Sequence, residues 1–309
     1  MSNRLSATCL IHLFLWLGPQ PGFGQKDLGP IVTNGQRLSV AVLGDFGYPG
    51  KGGKPCGEHP DQRRVADAMF RYHTERMKFA FGLTLGDNFY PKGVKDIKDP
   101  HWKCSWEDFY TRLEIPFYAT LGNHDYRQNA DAQLEYSKGS KSFRMPAKYY
   151  TFAAGPVRFF ALDTDEGTLG FWSKKPWSDS QRNWLVEQLE KYRNTKWKVV
   201  YGHHPIYSYG YHGNEERLVR KLLPELKKYG VDVYLSGHEH DLQHLHQDGI
   251  HFFIGGSGGK DLRETKKGPQ SLFADSKHSF LVLSGENNTL RVTFLGTGLE
   301  QLHEQVLTK

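Results

Sequence analysis

Five short stretches concentrate the side chains able to do chemistry: Gly44-Asp45-Phe46-Gly47, Gly86-Asp87-Asn88-Phe89-Tyr90, Gly122-Asn123-His124-Asp125, Gly202-His203-His204-Pro205 and Gly237-His238-Glu239-His240. Each follows a short apolar run with the make-up of a buried strand. Glycine permits the sharp exit from such a strand and a close approach of backbone to a ligand. Gathered on one rim, the stretches deliver Asp45, Asp87, Tyr90, Asn123, His203, His238 and His240. That is more oxygen and imidazole than one tetrahedral zinc can use, and enough for two octahedral cations sharing a bridge. His238 and His240 lie two apart on an extended segment, so the pair can straddle two ions, and the two oxygens of Asp87 can join them. Ions held about 3.5–4 Å apart can bind a nucleophile and a phosphate together, as in two-metal hydrolysis.

In this order, over residues 44–240, the stretches resemble the metallophosphoesterase superfamily, and in detail the small purple acid phosphatases of the tartrate-resistant type. In the wider superfamily the first loop carries Asp-x-His, with the histidine as a ligand. Here Asp45-Phe46-Gly47 lacks it, and Tyr90 takes its place. A phenolate is a hard, electron-rich donor suited to a trivalent cation. The resemblance implies Fe(III) held by Asp45, Tyr90 and His240, a divalent ion (Fe, Zn or Mn) held by Asn123, His203 and His238, and Asp87 as the bridge. It implies a secreted acid phosphatase that cleaves phosphate monoesters by attack of a metal-activated hydroxide. His124 and His212, the latter in Gly210-Tyr211-His212-Gly213, would bind phosphate oxygens and help protonate the departing alcohol.

Substrates on that reading are phosphorylated small molecules, nucleotides or phosphoproteins. Two alternatives remain: cleavage of phosphodiesters or nucleotide pyrophosphates on the same metals, and a non-catalytic iron-binding or redox protein. Retention of both His124 and His212 favours hydrolysis. The stretch between Asp163 and Ser178 offers aromatic and basic groups for a nucleotide without deciding between substrates. His204, His244, His246 and His251 read as structural, and Asp125 as a residue that orients His124 or a loop amide. Gly255-Gly-Ser-Gly-Gly-Lys260 departs from a Walker loop at both ends and reads as a flexible rim of the site.

The elements that must position these groups alternate. Strands are expected at Leu38–Leu43, Phe79–Leu85, Pro116–Leu121, Trp197–Tyr201 and Val231–Leu235, each leading into one of the five stretches. Helices are expected over Pro60–Arg76, Trp106–Leu113, from a Ser178 cap with a Gln181 capping box to Tyr192, and over Glu215–Tyr229. A hairpin is expected from Tyr149–Ala153 and Val157–Asp163, and antiparallel strands at Leu242–His246, Ile250–Ile254, Phe280–Leu283 and Thr289–Leu295. The βαβαβ series implies adjacent parallel strands. The fold class that results is α/β, with two mixed sheets packed face to face and flanked by helices, and ligands at the carboxyl ends of the strands.

The 309 residues and 38% hydrophobic content suit one catalytic domain, here residues 25–309. Residues 1–24 have a polar start with Arg4, a short apolar centre, and Gly22 and Gly24 before Gln25, which is the layout of a cleaved secretory signal. The expected location is therefore secreted, lysosomal or periplasmic. A secretory route leaves Cys56 and Cys104 either bonded or as two free thiols. Asn287-Asn288-Thr289 fits a glycosylation acceptor. A net charge of +6 without a basic stripe interleaved with aromatics favours anionic small substrates over nucleic acid. No later segment reaches transmembrane length, and a monomer is expected.

Overall fold

The structure is a computed structural model that describes residues 25–31, 37–48, 56–165, 177–286 and 288–309. The segment read as a signal, most of the stretch between Asp163 and Ser178, and Asn287 of the glycosylation acceptor lie outside the described residues.

The strands in chain order are β1 (Gln25–Pro30), β2 (Leu38–Leu43), β3 (Phe81–Thr84), β4 (Phe117–Ala119), β5 (Phe143–Arg144), β6 (Tyr149–Ala154), β7 (Val157–Ala161), β8 (Trp197–Tyr201), β9 (Val233–Ser236), β10 (Leu242–Gln247), β11 (Ile250–Gly255), β12 (Ser271–Asp275), β13 (Ser279–Glu286), β14 (Thr289–Gly296) and β15 (Gln301–Thr308). They form an eight-stranded sheet in the order β1-β6-β7-β8-β9-β11-β10-β12 and a seven-stranded sheet in the order β15-β14-β13-β2-β3-β4-β5. Both are mixed, as expected. The β2-β3-β4 and β7-β8-β9 runs are parallel, whereas β6-β7 is an antiparallel hairpin. Parallel strands covered on both faces read as near-continuous apolar runs, and every residue of β2, Leu-Ser-Val-Ala-Val-Leu, is buried. The two sheets meet through aromatic side chains. The ring of Phe81 in one sheet lies edge-on to Phe152 and Phe159 in the other, with centroids 5.6 and 5.5 Å away.

Helix α1 (Pro60–Glu75) starts at a proline and buries Val65, Ala66 and Met69. The helix expected from Trp106 starts at Trp102, with a π-helical Trp102–Glu107 leading into α2 (Asp108–Tyr110) and a final 3-10 turn at Thr111–Leu113. Asp131–Gly139 (α3) was not foreseen. Ser178 caps α4 (Asp179–Lys191) by accepting from Gln181 N at 3.1 Å. The Gln181 amide also binds the backbone of Asp163 in both directions. The single helix expected over Glu215–Tyr229 is two, α5 (Glu216–Lys221) and α6 (Leu223–Lys228). Pro224 at the start of α6 has no N–H to continue α5.

Cys56 and Cys104 form a disulfide that closes a 48-residue separation beside the α1 entry. No helix among the described residues is long and apolar enough to cross a membrane.

The histidines assigned to structure form a chain. His244 is buried, with Nδ1 2.8 Å from His303 Nε2 and Nε2 2.9 Å from His251 Nδ1, and its ring stacks on Phe253 at 4.1 Å. Burial, then the charges of His251, His303 and His246, push His244 down to about 2; burial and His246 push His251 down to about 4. Both folded values lie below the ordinary value of about 6.5, so the unfolded chain binds protons first. Stability from this chain is therefore complete above about pH 6.5 and declines as the pH falls below it. His244→Phe, which keeps the stack on Phe253, should flatten that acid loss when denaturant midpoints are compared across pH. A variant that loses stability as steeply as the parent would contradict the assignment.

Candidate metal centre

All five glycine-led stretches leave the carboxyl ends of parallel strands and converge. Asp45 follows β2, Asp87 and Tyr90 follow β3, and Asn123 and His124 follow β4, while His203 follows β8 and His238 and His240 follow β9. The site is thus built from both sheets. Asp45, Asp87 and His238 have φ of 56°, 50° and 69°, half of the non-glycine residues with positive φ among the described residues. Such conformations cost of order 1–3 kcal/mol each and persist where the surroundings enforce them. Gly122 and Gly237 make room: a Cβ on the first would lie 2.3 Å from Asp87 Oδ1, and on the second 2.4 Å from Asp45 Oδ2.

The donors fall into two groups. In the first, Tyr90 Oη donates to Asp45 Oδ1 at 2.8 Å and lies 3.3 Å from His240 Nε2, which is 3.6 Å from Asp45 Oδ1. In the second, Asn123 Oδ1 lies 3.1 Å from both His203 Nε2 and His238 Nδ1, which are 3.2 Å apart. Asp87 stands between them: Oδ1 is 3.5 Å from His203 Nε2, and Oδ2 is buried without a hydrogen-bond partner. An octahedral cation with bonds of about 2.1 Å sets adjacent donors about 3 Å apart, which is the spacing seen in both groups.

The tautomers point the same way. His203 Nδ1 meets the Leu85 carbonyl at 2.9 Å and His240 Nδ1 meets that of Asp261 at 3.0 Å. Each Nδ1–H donates outward, leaving the Nε2 lone pair aimed into the site. The His203 lone pair then faces Asn123 Oδ1, an acceptor, with no proton between them. A cation resolves that opposition.

The electrostatics are those of anionic donors buried side by side. Burial, then the charge of Asp87, raises Asp45 well above the usual carboxylate range. Burial acts on Asp87 in the same direction, but His203 and His124 outweigh it and hold the carboxyl low. Burial, Asp45 and Asp87 keep the Tyr90 phenol protonated to very high pH, so its phenolate form requires a bound cation.

His204 also lies within reach, its ring 4.5 Å from that of His238. Thr164 Oγ1 already accepts from the backbone N–H of His203 and His204, so its own proton goes to His204 Nδ1, 3.1 Å away. The remaining His204 nitrogen then carries a proton and is a donor, not a ligand, which agrees with the structural reading of that residue.

His124 and His212 flank the donors. His124 packs on Tyr90 with centroids 4.3 Å apart, anchors Nδ1 on the Pro91 carbonyl at 2.7 Å, and has Nε2 3.9 Å from Asp87 Oδ2. His212 stacks on His238 at 4.2 Å, and its backbone N–H donates to buried Glu239 at 2.6 Å. Asp125 orients loop amides, as one of its two expected roles, accepting from Gly122, Asn88 and Phe89 N–H at 2.8, 3.1 and 3.2 Å and so tying two ligand loops together.

The glycine run before Lys260 is a fitted wall, contrary to its reading as a flexible rim. Gly258 and Lys260 donate to the carbonyls of Gly44 and Asp45, and a Cβ at Gly256 would lie 2.1 Å from the Glu239 carbonyl. Sequence reasoning also missed Glu239, Thr164 and Arg263. Only Glu239, set between two candidate ligands, carried a signal.

A family model described as calcineurin-like phosphoesterase matches residues 38–242. The chain is 31% identical over its whole length to purple acid phosphatase 17 of Arabidopsis thaliana, covering 96% of that protein. It is 34% identical to human tartrate-resistant acid phosphatase type 5, over 76% of this chain and 77% of that protein. Among solved structures, GAP50, the anchor in the inner membrane complex of Plasmodium, superposes with a TM-score of 0.76 at 27% identity, covering 88% of this chain and 89% of that one. The purple acid phosphatase PPD1 of yellow lupin, Lupinus luteus, shares the fold with a TM-score of 0.69 at 17% identity, over 88% of this chain and 54% of that one.

Proposed function

The chain belongs to the calcineurin-like phosphoesterases and, within them, to the purple acid phosphatases, and from that premise we propose that it hydrolyses phosphate monoesters at a pair of bridged cations. Asp45, Tyr90 and His240 would hold Fe(III), Asn123, His203 and His238 would hold a divalent ion, and Asp87 would be shared between them. The observation that carries this reading is the His203 Nε2 lone pair set against Asn123 Oδ1 at 3.1 Å, beside an Asp87 oxygen that is buried without a hydrogen bond. The ions would supply activation of water and neutralisation of phosphate charge. The protein's own part is orientation. Backbone carbonyls fix the His203 and His240 rings, Asp125 locks the loops, and His124 and His212 stand ready to bind phosphate oxygens and pass a proton to the departing oxygen. The substrates are phosphorylated small molecules, nucleotides or phosphoproteins. The Cys56–Cys104 bond supports an oxidising, secretory location.

The test is colour joined to turnover. Oxidised, iron-replete protein should absorb in the visible and release phosphate from an alkyl phosphate at acid pH, and Tyr90→Phe should lose the band. A colourless iron-replete parent would sink the tyrosinate assignment; a coloured one without phosphatase activity would sink the catalytic one.

A further inference from the structure

Four histidines that take no part in the candidate metal centre meet where the two sheets adjoin. His244 and His246 lie two apart on β10, so their side chains leave the same face, and His251 stands directly opposite His246 on the antiparallel β11. One patch of the eight-stranded sheet thereby receives three imidazoles. His244 Nε2 lies 2.9 Å from His251 Nδ1, and the exposed ring of His246 stacks on His251 with centroids 4.2 Å apart. His303, on β15 of the other sheet, faces the far side of His244, its Nε2 2.8 Å from His244 Nδ1. The His303 ring is itself held against Phe273, with centroids 4.7 Å apart.

A chain of neutral imidazoles satisfies the buried His244, but it makes no use of His246, whose ring meets its neighbour face to face. By accepting the Nδ1 proton of His244, His303 fixes the tautomer whose Nε2 lone pair points at His251, which is the outer support that a metal-bound histidine needs. Burial and the neighbouring imidazoles hold His244 and His251 far below the ordinary histidine range, so protons do not compete for their lone pairs near neutral pH. We propose that His244, His246 and His251 bind one divalent cation of the zinc class, with water in the remaining position and His303 orienting His244. Three imidazoles and one water form a coordination that zinc uses. Tetrahedral bonds of about 2.0–2.1 Å set neighbouring nitrogens about 3.3 Å apart, so the His244–His251 pair need open only slightly. The proton between them gives way to the cation, and His251 stays neutral by carrying one on Nε2. His246 closes the set by turning off its stack, which its exposure permits. The site does not depend on the phosphatase reading.

The test counts metal taken up by protein whose candidate centre has already been loaded. After equilibrium dialysis against micromolar zinc, elemental analysis should find one more metal equivalent per chain in the parent than in the His246→Gln/His251→Gln double variant. Calorimetry with zinc should show His246→Gln alone weakening that binding about tenfold or more. Cobalt in place of zinc should give the strong visible bands of a four-coordinate ion in the difference spectrum between parent and double variant. Zinc should also raise the thermal midpoint of the parent and leave that of the double variant unmoved. Phosphatase turnover should be equal in all three proteins, since none of the substituted residues belongs to the candidate centre. Equal uptake in parent and variants, or uptake at millimolar zinc only, would overturn the site. A double variant that lost turnover along with the extra equivalent would overturn it too, because the metal would then belong to the candidate centre.

Discussion

Asp87→Asn is expected to fold, to lose both ions and to lower phosphatase turnover by about a thousandfold or more. Asparagine keeps the shape of the side chain and tolerates the φ of 50° found at this position. It can still accept the His124 N–H that Asp87 Oδ1 receives at 2.8 Å. What it removes is the charge and the second acceptor, and Oδ2 is the atom left without a hydrogen bond between the two donor groups. A carboxylate that would be shared between two cations should weaken both when it is lost, and the several kcal/mol that such ions would supply to hydrolysis should go with them. Asn123→Ala should instead deplete mainly the divalent ion, since Asn123 contacts only His203 and His238 among the candidate ligands. Elemental analysis of the two purified variants decides the matter, and equal depletion in both would refute the division into two groups.

His212→Ala should leave metal content unchanged and reduce turnover of an alkyl phosphate about a hundredfold, the scale of a lost general acid. The same change should do less harm with nitrophenyl phosphate, whose phenolate departs without a proton. His124→Ala offers the parallel case. Its Nδ1 is anchored on Pro91, which leaves Nε2 as the nitrogen on the side of Asp87. Because His212 stacks on His238, the metal assay is the necessary control. If each variant loses activity equally on both substrates, the pair binds phosphate and does not deliver protons.

How much of this was legible in the sequence follows from how strongly each segment is constrained. Leu38–Leu43 and Trp197–Tyr201 were bounded correctly because strands buried on both faces read as near-continuous apolar runs, broken here only by Ser39 and Lys198. β15, Gln301–Thr308, was missed because an edge strand with one wet face carries Gln, His, Glu and Gln among its apolar residues. α3 was missed for a related reason: Asp131–Gly139 buries small and polar residues, Ala132, Gln133 and Ser137, along with Leu134, and shows no apolar stripe. The candidate ligands were readable because each sits within a few residues of a glycine at a strand end. Arg263 and Thr164 were not, since they reach the site through backbone hydrogen bonds and a hydroxyl that no local pattern announces. The glycine run before Lys260 misled because glycine means freedom only where nothing packs against it.

Each group of donors draws on both sheets, and that has a consequence for the polymer as well as for the chemistry. One group joins the loops after β2 and β3 to the loop after β9; the other joins the loop after β4 to those after β8 and β9. An ion bound by either group is therefore a crosslink between distant parts of the chain, closing rings far larger than the one closed by Cys56 and Cys104. Such closures act on the unfolded chain by removing its configurational freedom, and the stabilisation grows with the logarithm of ring size. The centre proposed for hydrolysis would thus also be the knot that ties the two layers, so a variant that had given up turnover would still have a reason to keep its ligands.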